Sequence, residues 1–454
     1  MSRVRNVPPA VRLVALALVL LGLAVAFIAY FGPYVGLGRN EDFVAYRLLG
    51  LPRRRLADLA IWTAGAGAML FLFARFDFPG LLRRSLRPRV AAFLVLMVVL
   101  SATVAVSGFL VYQAATKPLR NPHKISFFAE ENLWAVPDPE LAWVPKPNFN
   151  ATLDTGVVVT PVSSNALGAR VNAPGAVLPT EIDVITVGSS NSWGQGVRNE
   201  ETFSTRLGAM LGVEAMNFSA PGYGGLQSVM FLRRLLRLRP KIIIYSFFPD
   251  HLNRNLRPCA AMHGPFCLAP PRVRFEGGAP SIKYPPPHAA ERTNRRMRSW
   301  EREALSDGFK PSLWSDIKYT AISYYEHVLV PAIDDRRIRT LGIFGTFEED
   351  EKLRANELVF SLLKSAAGSI GALPVVVYTP DYLVTGPMTM PPEFAAQAKR
   401  HGLVLVSMLE RFNAMRREDI SIPGDGHLSA ASHRAIAEEV AHVLRARIGA
   451  GAAK

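Results

Sequence analysis

The chain has 454 residues, 49% hydrophobic and 20% charged, with 52 Lys and Arg against 37 Asp and Glu, for a formal net charge of +15. This length accommodates two or three structural units, and a mean hydropathy of +0.16 argues against a wholly water-soluble chain. The basicity does not indicate nucleic acid. Much of the arginine flanks apolar runs, and no zinc-finger, helix-turn-helix or aromatic RNA-binding pattern accompanies it. Anionic lipid and membrane topology account for it better.

Residues 1–115 are expected to be a membrane region with three transmembrane helices, at about 11–31, 56–75 and 90–112. The first run approaches the roughly 20 residues that a bilayer core needs. It ends in Tyr30, Phe31 and Tyr34 rather than at the small residues of a cleavage site, so it is expected to be an uncleaved anchor. Asp58 interrupts the second run near its start, and the third is almost free of charge. Arg3, Arg5 and Arg12, with Arg83, Arg84, Arg87 and Arg89, favour a cytoplasmic N-terminus and second loop, although Arg53, Arg54 and Arg55 run against that rule. Three crossings then put the C-terminal domain outside. The location expected is the bacterial inner membrane, multi-pass, with that domain facing the periplasm or cell exterior and with membrane lipid as a partner.

Residues 116–180 are rich in proline around Asp138 to Pro147 and are expected to be an extended connector with a β element near Gly156–Thr160. From 181 to 454, β-rich runs alternate with helical periodicity, as in βα units around a parallel sheet. Strands are expected at 183–187, 213–218, 241–245, 373–378 and 403–406, and helices near 201–211, 225–237, 351–368, 392–401 and 429–446. About five strands would make a three-layer α/β domain. An insertion spans about 255–350, where Trp300, Trp314, Tyr324 and Tyr325 either stack on sugar rings or pack helices. The two cysteines, Cys259 and Cys267, are read as a disulfide in preference to two free thiols, because the topology already points outward.

Ser190 stands just past the first of these strands, where ligands of open α/β sheets bind. Gly188-Ser189-Ser190 followed by Gly194, then Asn217-Phe218-Ser219-Ala220-Pro221-Gly222-Tyr223-Gly224, then Asp425-Gly426-His427, resembles the SGNH (GDSL-type) hydrolase superfamily over about residues 130–447. The resemblance includes the lead-in Asp138-Pro139-Glu140-Leu141. It implies a flavodoxin-like α/β/α fold. It also implies Ser190 as nucleophile, His427 as general base and Asp425 as its orienting partner, with the N–H groups of Ser190 and Gly222 in the oxyanion hole. No cofactor or metal is implied. His433 is a second candidate base, but its place in the last helix suggests a helix surface.

Three departures stand out. Ser189 replaces the usual aspartate, one residue rather than two separates Asp425 from His427, and the family's third block, a Gly-x-Asn-Asp expected after the strand at 241–245 with an asparagine that donates to the oxyanion, is replaced by Ser246-Phe247-Phe248-Pro249-Asp250-His251. Asp250 falls nearest that asparagine's place, and a carboxylate there accepts hydrogen bonds only and would repel an oxyanion. His251 is the expected substitute donor, with Asn253 and Asn255 behind it. The reading is therefore a serine-dependent ester hydrolase or O-acyl transferase acting on acyl, chiefly acetyl, esters of an envelope or exported glycan. Its expected partners are an acylated carbohydrate or other ester substrate and envelope or polysaccharide-assembly proteins. The alternative is a catalytically silent SGNH-like domain that binds glycan or scaffolds an envelope assembly.

Overall fold

The computed structural model describes residues 9–31, 47–48, 51–52, 63–65, 67, 134–154, 157–173, 176, 178–260, 267–296, 347–383 and 387–451. The chain divides into two compact units, Met1–Asn121 and Pro122–Lys454.

In the first unit the leading apolar run forms helix α1, Pro9–Phe31. Along it Leu16, Leu20, Leu21 and Leu23 are exposed while Ala15 is buried. Gly67, from the second run, lies so close to α1 that a Cβ on it would stand 2.8 Å from the carbonyl oxygen of Ala15 and from the Cβ of Leu18. A short bridge pairs β1, Arg47–Leu48, with β2, Leu51–Pro52. Side chains of α1 are described over residues 14–25 only, and among the described residues no helix is long and apolar enough to cross a membrane. The three expected membrane helices are therefore not shown. Most of the second run and all of the third lie outside the described residues.

The second unit is an α/β domain on one mixed sheet. Four runs rich in Val and Ile form strands β8 (Val184–Val187), β10 (Ile242–Phe247), β13 (Leu373–Tyr378) and β14 (Val404–Ser407), and Ala-Met-Asn forms a fifth, β9 (Ala215–Asn217). All four pairings among them are parallel. In space they follow β14-β13-β10-β8-β9. Ranked by chain order this is 2-1-3-4-5 read from the β9 side, the flavodoxin-like arrangement.

Buried on both faces, these strands show the two-residue alternation that a pleated sheet imposes. Ile185, Val187, Ile243, Tyr245, Val376 and Tyr378 enter one core, with Leu226, Val229, Phe360 and Phe394 from helices on that side. Val184, Ile244, Val375, Val377, Val404 and Val406 enter the other, with Phe203, Leu207, Ile436 and Val440. The helices of the first layer are α4 (Gly225–Leu235), α6 (Glu349–Gly368) and α7 (Pro392–Arg400). Those of the second are α3 (Phe203–Leu211) and α10 (Ala430–Gly451). The three-layer expectation is met, and each of the five expected helices forms.

The sheet is larger than five strands. β5 (Asn150–Asp154), β6 (Val159–Ser164) and β7 (Arg170–Val171) extend it beyond β9 to eight strands, joined by antiparallel pairings. Much of the expected connector is thus built into the domain. A hairpin of β3 (Ala135–Asp138) and β4 (Ala142–Pro145) precedes it. Asp138 pins this hairpin to α4: its carboxylate takes 2.6 and 3.0 Å bonds from Arg234 and two more from the backbone N–H groups of Glu140 and Leu141. Although burial alone would raise its pKa, those four donors hold it below the usual carboxylate range. In the insertion, β11 (Arg272–Glu276) and β12 (Ala279–Lys283) form a hairpin, and Cys259 and Cys267 are bonded to each other. Trp300, Trp314, Tyr324 and Tyr325 lie outside the described residues.

Candidate active site

The chain leaves β8 at Val187 through Gly188, which must be glycine: a Cβ there would sit 2.8 Å from the Ser246 carbonyl oxygen and closer still to Ser192 Oγ. Ser190 then opens the one-turn helix α2, Ser190–Trp193, all four residues of which are buried. Ser189, in the place of the family's aspartate, is 2% exposed and makes no side-chain cap bond. The turn is held from elsewhere. Ser192 Oγ donates to the Ser189 carbonyl at 3.0 Å. Asn217, on β9, donates to the Ser192 carbonyl at 2.8 Å. Its cross-strand neighbour Arg170, on β7, donates to the carbonyls of Trp193 (2.7 Å), Gly194 and Val197 and stacks on the Trp193 ring. Desolvation lowers the pKa of the buried Arg170 guanidinium to about 9, against the pull of Glu200 and Glu201, so it remains a cation at neutral pH beneath the carbonyl end of α2.

The far end of the chain returns to this point through a closed loop. Ser421 and Leu428 bridge across its neck, the Ile422 carbonyl accepts from the N–H groups of Asp425 and Gly426, and Ile422 N donates to the His427 carbonyl at 2.8 Å. Gly426 takes φ 83°, a left-handed conformation that any other residue adopts only with strain. That turn lets two side chains separated by a single residue meet. His427 Nδ1 lies 2.5 Å from Asp425 Oδ1, and His427 Nε2 lies 2.9 Å from Ser190 Oγ. Asp425 also accepts from the His427 backbone N–H at 3.3 Å. The spacing that departs from the family pattern therefore still delivers a continuous Ser-His-Asp relay, which Nδ1-to-carboxylate bonding would hold in the tautomer that leaves Nε2 free to accept the serine proton.

Gly222 occupies the third position of a turn that Tyr223 N closes onto the Ala220 carbonyl at 3.2 Å, with φ 80°. Pro at the second position and left-handed Gly at the third are the pattern of a type II turn. It is braced by the β3–β4 hairpin: Trp143 Nε1 donates to the Pro221 carbonyl at 3.2 Å, and the Tyr223 hydroxyl donates to the Trp143 carbonyl at 2.5 Å. No hydrogen bond among the described residues takes up the N–H of Ser190 or of Gly222. These two donors are therefore open to an oxyanion.

The third block is differently built. On the short helix α5, Asp250–Arg254, His251 is fully buried, its ring against Tyr245 and Phe247 and its Nδ1 2.9 Å from the Tyr245 hydroxyl. Burial holds its pKa well below the usual histidine value. Asn255, also fully buried, caps α4 by accepting from Leu226 N at 2.9 Å, and Asn253 donates to Asp250 at 3.4 Å. His251 Nε2 and Asn255 Nδ2 have no hydrogen-bond partner among the described residues, Asn253 is half-buried, and no hydrogen bond among the described residues joins any of the three to Ser190. Asp250 is not a bare charge, because Arg254 (2.8 Å) and Arg257 (3.2 Å) pair with its two oxygens.

Comparison with known proteins adds little beyond this geometry. No protein-family model and no curated protein matches the chain. Among solved structures it aligns with a protein described as "a putative SGNH hydrolase from Slackia heliotrinireducens", at 12% identity and a TM-score of 0.28, covering 58% of this chain and 99% of that one. A likeness at that level carries no argument about activity. The site rests on its own distances.

His433, expected on a helix surface, is instead wholly buried: Nδ1 accepts from Phe203 N at 3.1 Å and the ring stacks on Phe203. Burial, reinforced by Arg170, Arg206 and His427, pushes its pKa down to about 3. Because the folded state binds the proton less tightly than the unfolded state, the stability this histidine contributes is complete above about pH 6.5 and lost as pH falls toward 3. The slope approaches about 1.4 kcal/mol per pH unit. Replacing it as His433→Asn, which keeps an acceptor for Phe203 N, should flatten the fall in unfolding free energy between pH 6 and 4 measured by denaturant titration.

Tyr382 was not foreseen from sequence. Its buried hydroxyl lies 2.9 Å from Asn191 Oδ1, next to Ser190, and 3.1 Å from the carbonyl of Gly426, in the histidine loop. It thereby ties together the two segments that form the relay. Losing one buried hydrogen bond is worth about 1–2 kcal/mol. Tyr382→Phe should accordingly lower the unfolding free energy by about 1–2 kcal/mol, measured by denaturant titration.

Proposed function

We propose that this chain is an SGNH-type serine esterase or O-acyltransferase, and the continuous contact from Ser190 through His427 to Asp425 carries that reading. Ser190 Oγ attacks an ester carbonyl as His427 Nε2 takes its proton. The carbonyl oxygen, becoming an oxyanion, is received by the N–H groups of Ser190 and Gly222. Asp425 keeps the imidazole oriented and offsets the charge it gains. Collapse expels the alcohol, which leaves with the proton from His427, and an acyl-serine remains. Water or a second hydroxyl, deprotonated by the same histidine, then takes the acyl group. The lack of an asparagine donor slows this chemistry by about a hundred- to a thousandfold relative to a complete oxyanion hole, without changing its type.

The substrate we propose is an acyl ester, chiefly acetyl, of an envelope or exported glycan, acted on by a domain held outside the cytoplasmic membrane. The supports are the exposed leucines of α1 and the close approach of Gly67 to that helix, the kind of small-residue contact by which helices pack in lipid. The disulfide also fits an oxidising compartment.

Full-length protein in detergent micelles should hydrolyse an aryl acetate and, on rapid acid quenching, carry one acetyl group on the peptide containing Ser190. Turnover at background with no acetylated peptide contradicts the reading. A reporter active only outside the cytoplasm, fused after Lys454, should be active; a silent reporter at normal expression contradicts the topology.

A further inference from the structure

Beside the turn that carries Gly222, the residues Gly222, Gln227, Arg254, Arg257, Cys259 and Ala260 line one small, partly open pocket. Its charge is unbalanced. Arg254 donates from Nε to Asp250 Oδ2 at 2.8 Å and from Nη1 to the Tyr223 carbonyl at 3.0 Å, and Arg257 reaches the same Asp250 at 3.2 and 3.4 Å. No other carboxylate among the described residues pairs with either arginine. Two guanidinium groups thus share one carboxylate. Each has five N–H donors, and among the described residues Arg254 Nη2 and Arg257 Nε make no hydrogen bond. The side chains are 25% and 37% exposed, open enough to be reached yet partly shielded from water.

We infer that Arg254 and Arg257 form a carboxylate-binding subsite next to the oxyanion turn, so that the ester this protein processes carries a free carboxylate near its scissile bond. The inference rests on the proposed reaction for its role but not for its binding chemistry. Planar guanidinium donors match a carboxylate in a two-point grip. Asp250 performs a second task here: it holds both arginines in place while neutralising only one of them. Arg254, bonded to the Tyr223 carbonyl, connects the subsite to the peptide that follows Gly222. Among the described residues the Arg257 side chain hydrogen-bonds only to Asp250, so changing it leaves the Arg254 bond to the Tyr223 carbonyl in place.

Two measurements on full-length protein in detergent micelles test this. In the first, hydrolysis of 4-nitrophenyl hemisuccinate is compared with that of the uncharged 4-nitrophenyl butyrate. Arg257→Gln should lower kcat/KM for the hemisuccinate about tenfold more than for the butyrate, with Arg257→Lys intermediate. An unchanged ratio overturns the subsite while leaving the esterase reading in place. In the second, equilibrium dialysis measures binding of radiolabelled succinate to the Ser190→Ala protein at fixed ionic strength, with or without Arg257→Gln. Retention that Arg257→Gln lowers about tenfold supports the subsite even where no ester is turned over, and that combination would remove the esterase reading alone. Absence of retention, or retention that ignores Arg257→Gln, overturns the subsite.

Discussion

Ser190→Ala is expected to lower turnover of a small aryl ester by about 10⁵- to 10⁶-fold, and His427→Ala by a similar factor, while the double variant falls no further than either alone. The non-additivity follows from geometry. With Nε2 of His427 2.9 Å from Ser190 Oγ, the two groups act in one proton transfer, and removing either abolishes it. Asp425→Asn should cost less, because it misorients the imidazole rather than removing the base. Residual activity is expected to come from the N–H groups of Ser190 and Gly222, which depend on none of these side chains. The measurement is steady-state hydrolysis by each variant, with equal thermal unfolding curves as the control for folding. Strictly additive losses would mean that the two residues do not share a step.

The second large effect is structural. Arg170→Met should lower stability by about 3–5 kcal/mol, in the range for broken buried polar networks. It leaves the carbonyls of Trp193, Gly194 and Val197 without their guanidinium donor in an interior that water does not replenish. It also removes the cation beneath the carbonyl end of α2 and the stacking on Trp193. For a domain of this size the unfolding midpoint should fall on the order of 10 °C by differential scanning calorimetry. Arg170→Lys keeps a charge but not the planar fork, so it should recover only part of the loss. A midpoint unchanged in Arg170→Met would show that Asn217, the other donor to α2, suffices alone.

Much of the domain was legible in the sequence because its strands are buried on both faces. Runs such as Ile242-Ile243-Ile244-Tyr245 have no other stable home than a central parallel strand. Ser190, Gly222, Asp425 and His427 were readable from motif order, and the structure brings the serine, histidine and aspartate into contact. What was not legible depends on distance in the chain. Arg170 sits in an unremarkable Gly-Ala-Arg-Val stretch, and only the pairing of β7 with β9 sets it beside Asn217 and under the turn that carries Ser190. Tyr382 is likewise found only through the fold. His433 misled because a histidine on a predicted helix can face the core as readily as the solvent, and His251, beside a strand end, is buried as well. Asp138 to Pro145 read as a spacer because of its prolines, yet it forms the hairpin that braces the Gly222 turn through Trp143.

The central claim is that Ser190 is a nucleophile activated by His427. It is tested most directly by treating the full-length protein with a serine-directed fluorophosphonate and mapping the adduct by peptide mass spectrometry. The account predicts a single adduct on Ser190 that Ser190→Ala removes and that forms far more slowly in His427→Ala. Folded protein that stays unlabelled, or that is labelled at the same rate with and without His427, would contradict it and leave a domain of this fold that binds without reacting.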